Sequence, residues 1–366
     1  MIEANVVYQH LRTESGPALR RGDFRVTWSR SPMKGAALRC YFGAFNPVCE
    51  RDGAPRVLIQ GEPVVTQPGE YTDEVFAEFD RVLTPVSVLA ELAPEKFRHW
   101  TCSAYDGPEG MWPPMPSVEG LRRLYPTEGR MRGVSMILGN KSSNVPCELY
   151  SRRKPAMDWF FEHSRLVFDV YGKPPFPGLN HRGALRPDEK LVVMAGYRWN
   201  LCMENVHDPF WSAGYVTERI AQCFETRTVP IYLGCSDIER RIPPELFIDL
   251  RKHDSWSSLN DCLGAETEQE YLARADAIDA WVADGNLRRF SAHGLYDLIV
   301  ELWADIEGRS VADVFGDAEA WTPCDPMVAE WVPAALFREW KALRDSDFAR
   351  CEEMVRGLKE TRGDVA

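Results

Sequence analysis

The sequence predicts an α/β protein of two units, each a largely parallel sheet covered by helices, with a cleft between them. Three observations lead to this prediction. The chain of 366 residues is long enough for two ordinary domains with real cores. From about residue 131, short apolar segments alternate with helical ones, which is typical of a parallel sheet covered on both faces. A segment rich in Pro and Gly, residues 105–126, precedes this regular part and reads as a long surface loop near a domain boundary.

The first part of the chain is irregular and rich in strand-like segments. Its clearest strand is the apolar run at 56–60, which stops at Gly61-Glu62-Pro63. A helix is predicted around 74–79. The other predicted strands cover residues 25–28, 39–42 and 81–83.

The second part follows a regular β/α rhythm. Its predicted strands cover residues 134–138, 167–170, 199–202, 229–233 and 247–248. Its predicted helices cover residues 155–164, 190–195, 217–224, 257–263, 267–284 and 286–307. Pro155 is placed at the first turn of its helix, where the missing N–H costs nothing. The tail at 333–360 reads as one or two amphipathic helices.

These patterns predict three segments. Residues 1–130 form the first α/β domain, residues 131–330 form the second, and residues 331–366 form C-terminal helices that pack back on the first.

Composition excludes several classes of protein. Hydrophobic residues make up 45% of the chain and charged residues 27%, as in a globular protein in water. The net charge of -12 argues against nucleic acid as a partner. The 10 cysteines include no C-x-x-C pair, so we expect free thiols in a reducing compartment. The chain shows neither a signal-peptide pattern nor an apolar run of about 18 residues. We therefore expect a cytoplasmic protein without a transmembrane segment, with peripheral membrane association left open.

Residues 214–219, Gly-Tyr-Val-Thr-Glu-Arg, read as a turn followed by the start of a helix. Gly214 lets the backbone turn, and Thr217 is a plausible N-cap. In the first helical turn, Glu218 could accept hydrogen bonds from vicinal hydroxyls such as those of a ribose, and Arg219 could stabilise a diphosphate. The alternative is that Glu218 only complements the helix dipole while Arg219 is solvated.

The wider context favours the ligand-binding interpretation. Three linked segments, YRWNLCMEN (197–205), GYVTERI (214–220) and VPIYLG (229–234), resemble the donor-binding core of the α-1,3/1,4-fucosyltransferases, glycosyltransferase family 10. The pattern of that family looks like Y-[KR]-F-x-L-x-F-E-N-S, then G-Y-V-T-E-K, then an apolar strand. The match covers nearly 40 residues in the same order.

Two further segments are similar to the same family. Residues 134–141, followed by Ser151-Arg152-Arg153, resemble its strand, turn and arginine segment. By position Arg153 would contact the donor diphosphate, with Arg152 as the alternative. Residues 58–63 resemble the apolar strand that ends in the general base of the family, which would be Glu62 here. Altogether the resemblance extends from about residue 56 to about residue 250.

The resemblance implies a GT-B-like fold, two Rossmann-like domains facing a central cleft, and an inverting transfer of L-fucose from GDP-fucose to a hydroxyl of a glycan. An α-1,3/1,4-type linkage on a chain containing N-acetylglucosamine is implied, without a cofactor. The alternatives are a relative that uses another GDP-deoxysugar and a non-catalytic glycan-binding relative. The implied donor-binding residues are Asn140, Arg153, Arg198, Glu204, Asn205, Tyr215, Glu218 and Arg219.

Some of these roles stay open from the residues alone. Arg198 could contact the donor or form a salt bridge at a sheet edge. Tyr215 could stack on the nucleotide or be an ordinary core aromatic, and Asn205 could simply cap a turn. Trp112, in the Pro-rich loop, is the best candidate for contact with the acceptor glycan.

The family is also metal-independent, and the sequence agrees with that expectation. The D-x-D motif at 345–347 lies in a helical pattern with no strand before it, so we do not expect a metal there. Arg153 and Arg219, with helix N-terminal amides, can instead neutralise the leaving diphosphate.

Three departures from the family pattern concern the donor site. Arg219 replaces a lysine, which keeps the charge but changes the geometry. Val206 stands where the family has a serine, and residues 207–211 are inserted before Gly214. The sequence therefore supports nucleotide-sugar binding more strongly than it supports fucose itself.

Overall fold

The computed structural model describes residues 1–8, 15–43, 53–101, 117–139, 141–172, 181–186, 189–316 and 320–324. Within these residues the chain forms an eight-stranded and a five-stranded sheet with helices packed on them. None of the helices in these ranges has both the length and the apolar character needed to cross a bilayer. Trp112, Asn140 and the predicted helical segment 331–366 lie outside the described residues.

The first sheet carries most of the first half of the chain. Its elements in chain order are β1 (Ile2–Val7), β2 (Ser15–Arg21), β3 (Phe24–Ser29), β4 (Leu38–Phe42), β5 (Arg56–Ile59), α1 (Asp73–Ala77), β6 (Arg81–Thr84), α2 (Ser87–Leu92) and β7 (Phe97–His99). The strand order is β2-β3-β1-β4-β5-β6-β7, with β13 (Thr322–Pro323) outside β2. The run from β3 to β7 is parallel, and β2 pairs antiparallel with β3. The carboxyl ends of the central strands therefore share one edge, and Glu62 lies just beyond β5.

The second sheet is fully parallel within the described residues. Its elements are α3 (Val118–Leu124), β8 (Met131–Ile137), α4 (Tyr150–His163), β9 (Val167–Tyr171), α5 (Lys190–Ala195), β10 (Tyr197–Met203), α6 (Glu218–Glu225), β11 (Val229–Leu233), β12 (Ile248–Asp249), α7 (Trp256–Ala265) and α8 (Glu268–Ala283). The strand order is β12-β11-β10-β8-β9.

This order contains a topological switch point. From β8 the chain moves outward to β9, then crosses back over β8 to β10 and continues through β11 to β12. The connection that leaves β8 and the connection that leaves β10 therefore run in opposite directions along the sheet, although β8 and β10 are neighbours. Ligands of open α/β sheets bind in the crevice at the carboxyl ends of two such strands. The two largely parallel sheets confirm the predicted α/β architecture.

Helix α9 (Ala292–Glu307) returns to the first sheet, followed by α10 (Val311–Phe315) and β13. The Trp28 indole donates to the Tyr296 hydroxyl at 2.8 Å, and the Phe24 and Trp303 rings lie 5.6 Å apart edge to face. The boundary prediction assigned this helix to residues 131–330, the second unit. The periodicity of an amphipathic helix shows which face is apolar, but not which sheet receives that face.

Most predicted strands are present, whereas several other elements differ from the prediction. Helix α4 begins at Tyr150, so Pro155 lies inside it rather than at its first turn. The helix starts early because the Glu148 carboxylate accepts from the Ser151 amide at 3.0 Å, which satisfies one of the free N–H groups at the start of a helix. Helix α3 lies inside the predicted 105–126 loop. The prediction also lacked β1, β2, α2 and β7.

The two units meet along a close contact at Gly214. The Ser87 amide donates to the Ala213 carbonyl at 2.8 Å, and His99 Nε2 lies 3.1 Å from the Gly214 carbonyl oxygen. Gly214 has φ +83, and a Cβ there would lie 2.6 Å from His99 Nε2 and 2.8 Å from Ser87 Cβ. Glycine is therefore required both for its conformation and for the space it leaves.

The inserted segment 207–211 belongs to this interface. The Asp208 carboxylate accepts from the amides of Phe210 and Trp211, each at 2.9 Å, which fixes a compact turn. The Trp211 ring meets the Tyr71 ring of the first unit at 5.8 Å, edge to face. The insertion thus contributes packing between the two units.

Candidate functional site

The site is built around the start of α6, directly beyond the end of β10. Thr217 is the N-cap of α6, as predicted: its hydroxyl oxygen accepts from the Arg219 amide at 3.3 Å. The Thr217 amide and hydroxyl donate to the two carboxylate oxygens of Glu204 at 2.9 and 2.8 Å. These bonds attach the helix start to the residue that follows β10.

Glu204 is fully buried behind the start of α6. Burial raises the pKa of Glu204 to about 7, although the Arg219 guanidinium and the Thr217 hydrogen bonds oppose that effect. Gly234 follows the end of the neighbouring strand β11. A Cβ at this position would lie 2.3 Å from Glu204 Cγ, so any other residue would force the Glu204 side chain to move. Because no part of Glu204 is exposed, it positions α6 and Arg219 here rather than facing a ligand, contrary to its predicted donor contact.

Arg219 extends from the first turn of α6 toward the end of β8. Its Nε lies 3.6 Å from Glu204 Oε2, and its Nη1 donates to the Ile137 carbonyl at 3.4 Å. Burial opposes the charge, but the carboxylates of Glu218 and Glu204 outweigh it and raise the pKa of Arg219 above its usual value. The guanidinium is therefore a fixed positive charge at the β8/β10 switch point.

Arg153 lies on the opposite side of the β10 end, in the first turns of α4. It is buried, and its Nη2 donates to the carbonyls of Met203 and Glu204 and to Asn205 Oδ1 at 3.2, 2.8 and 3.0 Å. Its Nε has no hydrogen-bond partner among the described residues. Burial, and next the nearby Arg219 guanidinium, lower the pKa of Arg153 to about 10. Two guanidinium groups that repel each other, one with a free N–H, favour an anion near both.

Three further predicted donor-side residues, Glu218, Asn205 and Tyr215, lie near these two arginines. Glu218 is partly exposed, and its Oε1 lies 3.9 Å from Lys190 Nζ at the start of α5. Asn205 is buried and orients Arg153 through its side-chain oxygen. Tyr215 is only 2% exposed and packs in the hydrophobic core against the first sheet, so its ring has little free surface for stacking on a base.

Glu62 faces this group from the first unit. It follows β5, and its Oε1 lies 3.5 Å from Nζ of Lys141, which follows β8 in the second unit. The Tyr71 hydroxyl donates to the Glu62 carbonyl at 2.8 Å and fixes the backbone of this turn. Burial, and next the Glu62 charge, raise the pKa of the Tyr8 hydroxyl.

Arg198 is the predicted donor residue that the structure moves away from the site. It is the second residue of β10, and Glu204 comes six residues later, about 20 Å along an extended strand. Its guanidinium pairs with Glu268 and lies 5.0 Å from the centre of the Tyr271 ring. Arg198 is therefore a salt-bridged residue at the amino-terminal end of β10, away from the carboxyl ends of the strands. A salt bridge is the alternative that the sequence left open.

Two lysines belong to the site but were not among the predicted residues. Lys190 is the first residue of a helix that the sequence predicted correctly, and Lys141 lies in the segment that resembles the family. The signal for each was a cation at a helix start or just beyond a strand end, which is too common to be diagnostic. Arg152, the alternative to Arg153, is exposed.

Comparison with known proteins agrees with this geometry. Residues 144–273 match the family model described as glycosyltransferase family 10 (fucosyltransferase) C-term. A segment of 65 residues is 34% identical to the alpha-(1,3)-fucosyltransferase FucT of Helicobacter pylori, covering 18% of this chain and 12% of that protein.

Solved structures with a related arrangement include an alpha1,3-fucosyltransferase crystallised with GDP-fucose and the protein TarM. The first is 15% identical with a TM-score of 0.44, over 75% of this chain and 81% of the other. The second is 9% identical with a TM-score of 0.48, over 73% of this chain and 54% of the other.

The family model spans Arg153, Glu204, Asn205, Glu218 and Arg219, the residues that converge at the β8/β10 switch point. Within the second unit, residues 144–273 are therefore similar to the C-terminal domain of glycosyltransferase family 10, the fucosyltransferases.

Proposed function

We propose that this protein is an inverting, metal-independent glycosyltransferase that moves L-fucose from GDP-fucose to a hydroxyl of a glycan acceptor. The observation that carries the proposal is the pair of arginines at the switch point: Arg153 and Arg219 flank the end of β10 from two helices. A diphosphate is the anion that such a pair would bind, and the family match supports GDP-fucose as the donor.

In the proposed reaction the acceptor hydroxyl attacks the anomeric carbon while the bond to the diphosphate breaks. Glu62, on the first unit, would accept the proton of the attacking hydroxyl as general base. Arg153 and Arg219 would stabilise the charge that develops on the leaving diphosphate. A single displacement of this kind inverts the anomeric centre.

Different donor-side residues would bind different parts of the nucleotide. Glu218, oriented by Lys190 at 3.9 Å, would accept hydrogen bonds from the ribose hydroxyls. Metal independence is part of the proposal because the arginines already supply the positive charge that the leaving group needs. The acceptor is proposed to be a chain containing N-acetylglucosamine, modified in an α-1,3/1,4-type linkage in the cytoplasm, in solution or at a membrane surface.

Two alternative functions are possible for this site. A related transferase would use another GDP-deoxysugar, which the replacement of the family lysine by Arg219 makes worth testing. A non-catalytic glycan-binding relative would have no use for Glu62 and the arginines.

The test is a transfer assay with GDP-fucose and an N-acetyllactosamine-type acceptor in the presence of EDTA. We expect a fucosylated product, and a panel of GDP-sugars distinguishes fucose from other deoxysugars. Glu62→Gln is expected to keep GDP binding and to lose turnover by about 10²–10⁴. Absence of transfer from every GDP-sugar would reject the enzyme, and unchanged turnover in Glu62→Gln would reject this base.

A further inference from the structure

The ion pair between Lys141 and Glu62 joins the two units across the cleft. Lys141 lies four residues beyond Ile137, whose carbonyl accepts from Arg219, so it emerges from the same strand end as the proposed diphosphate site. Glu62 belongs to the other unit and is the proposed base. A cation of the donor side therefore holds the carboxylate of the acceptor side.

Four cations lie around the site among the described residues, and Lys141 has the most exposed side chain of them, compared with 23% for Arg219, 21% for Lys190 and a buried Arg153. Arg153 is fixed by three acceptors on one nitrogen, and Arg219 by Glu204 and the Ile137 carbonyl. The Lys141 side chain is 52% exposed and that of Glu62 36%, with 3.5 Å between the charged atoms. Exposed pairs of this kind are weak, so little opposes their separation.

We propose that Lys141 exchanges Glu62 for the diphosphate when the nucleotide sugar binds. In the donor-free enzyme Lys141 occupies one carboxylate oxygen of Glu62. A diphosphate carries more negative charge than a carboxylate and attracts the ammonium more strongly. The exchange adds a third cation to the leaving group and removes the ammonium from Glu62, so a larger fraction of the base is free to accept the acceptor proton when the donor is present.

The proposal rests on the proposed function and predicts an energetic coupling between the two residues in GDP binding. The experiment measures GDP affinity by isothermal titration calorimetry for the unmodified protein, Lys141→Met, Glu62→Gln and the double variant. We expect Lys141→Met to weaken GDP binding by about fivefold to tenfold. Glu62→Gln should strengthen it by about twofold to fivefold, because Lys141 no longer has to leave a partner.

The double variant decides between exchange and simple repulsion. If Lys141 exchanges partners, Glu62→Gln has almost no effect once Lys141 is absent, so the two changes are not additive. The pair Lys154–Asp158 on α4 is the matched control, because its side chains are similarly exposed, 59% and 41%. Lys154→Met and Asp158→Asn should leave GDP affinity unchanged within twofold.

Equal strengthening by Glu62→Gln with and without Lys141 would overturn the exchange, since it would show only long-range repulsion between Glu62 and the diphosphate. Unchanged GDP affinity in Lys141→Met would also overturn it. If the unmodified protein binds no GDP at all, both the proposed function and this inference fail. GDP binding with additive effects rejects the exchange alone.

Discussion

The hydroxyl of Thr217 makes two bonds that hold the site together, and its removal is the sharpest structural test. It accepts from the Arg219 amide as the helix N-cap and donates to the buried carboxylate of Glu204. Thr217→Val keeps the shape of the side chain and the backbone bond from residue 217 to Glu204. Only the hydroxyl is lost.

The magnitude follows from these two bonds. Loss of an N-cap costs about 1 kcal/mol, and loss of a hydrogen bond to a charged group about 1.5–3 kcal/mol. Both bonds belong to one hydroxyl and the pKa of Glu204 can rise in response, so we expect Thr217→Val to lower the free energy of unfolding by about 2–4 kcal/mol. Arg219 would lose its fixed position, and GDP binding should weaken by about threefold to tenfold, up to 1.4 kcal/mol.

The assay is urea denaturation at neutral pH combined with calorimetric GDP titration. Thr217→Ser is the matched control, because it keeps the hydroxyl and loses only a buried methyl group, so it should cost about 1 kcal/mol. The reasoning is refuted if Thr217→Val costs less than about 0.5 kcal/mol, or if Thr217→Ser loses as much as Thr217→Val.

Three further predictions address other residues. Arg153→Met should weaken GDP binding by about tenfold or more, because a charged donor at the diphosphate is lost, and circular dichroism should confirm that the variant is folded; unchanged affinity would remove Arg153 from the site. Arg198→Met should leave GDP affinity within twofold, since Arg198 lies at the amino-terminal end of β10, and a large loss of affinity would contradict that placement. Burial, and next the charge of Arg241, lower the pKa of His99 from 6.5 to about 4, so the unfolded chain binds this proton first as the pH falls and stability is lost between pH 6.5 and 4. His99→Gln should remove up to about 3 kcal/mol of that pH dependence in urea denaturation series, and an identical pH dependence would show that His99 is not its source.

The parts of the fold that the sequence predicted best are those with strong local patterns. The helix at α6 was predicted almost to the residue, because Thr217 is a good N-cap and Ile220, Cys223 and Phe224 share one face. The start of α4 was missed because proline at a first turn is the stronger statistical signal. A carboxylate from Glu148, which caps the helix from outside, overrides that preference.

The site itself could be predicted only where a motif named its residues. The resemblance supplied Arg153 and Arg219, and the structure brings them close enough for their charges to interact. Arg198 shows the limit of such reasoning. It shares a segment with Glu204, but an extended strand places residues six apart at its two ends, about 20 Å from each other. Lys141 meets Glu62 only through contacts between distant parts of the chain, which no local pattern reveals.

The hydrophobic core beneath the first sheet includes Tyr150, Val206 and Tyr215, which come from the second unit. Helix α9, which follows the second unit in the chain, also packs on the first sheet and contributes Tyr296 and Trp303 to this core. Neither half could be produced alone without exposing these side chains to water. Heating should therefore melt the two halves in one cooperative step, and the opening of the cleft is restricted to rotations that keep this shared packing intact.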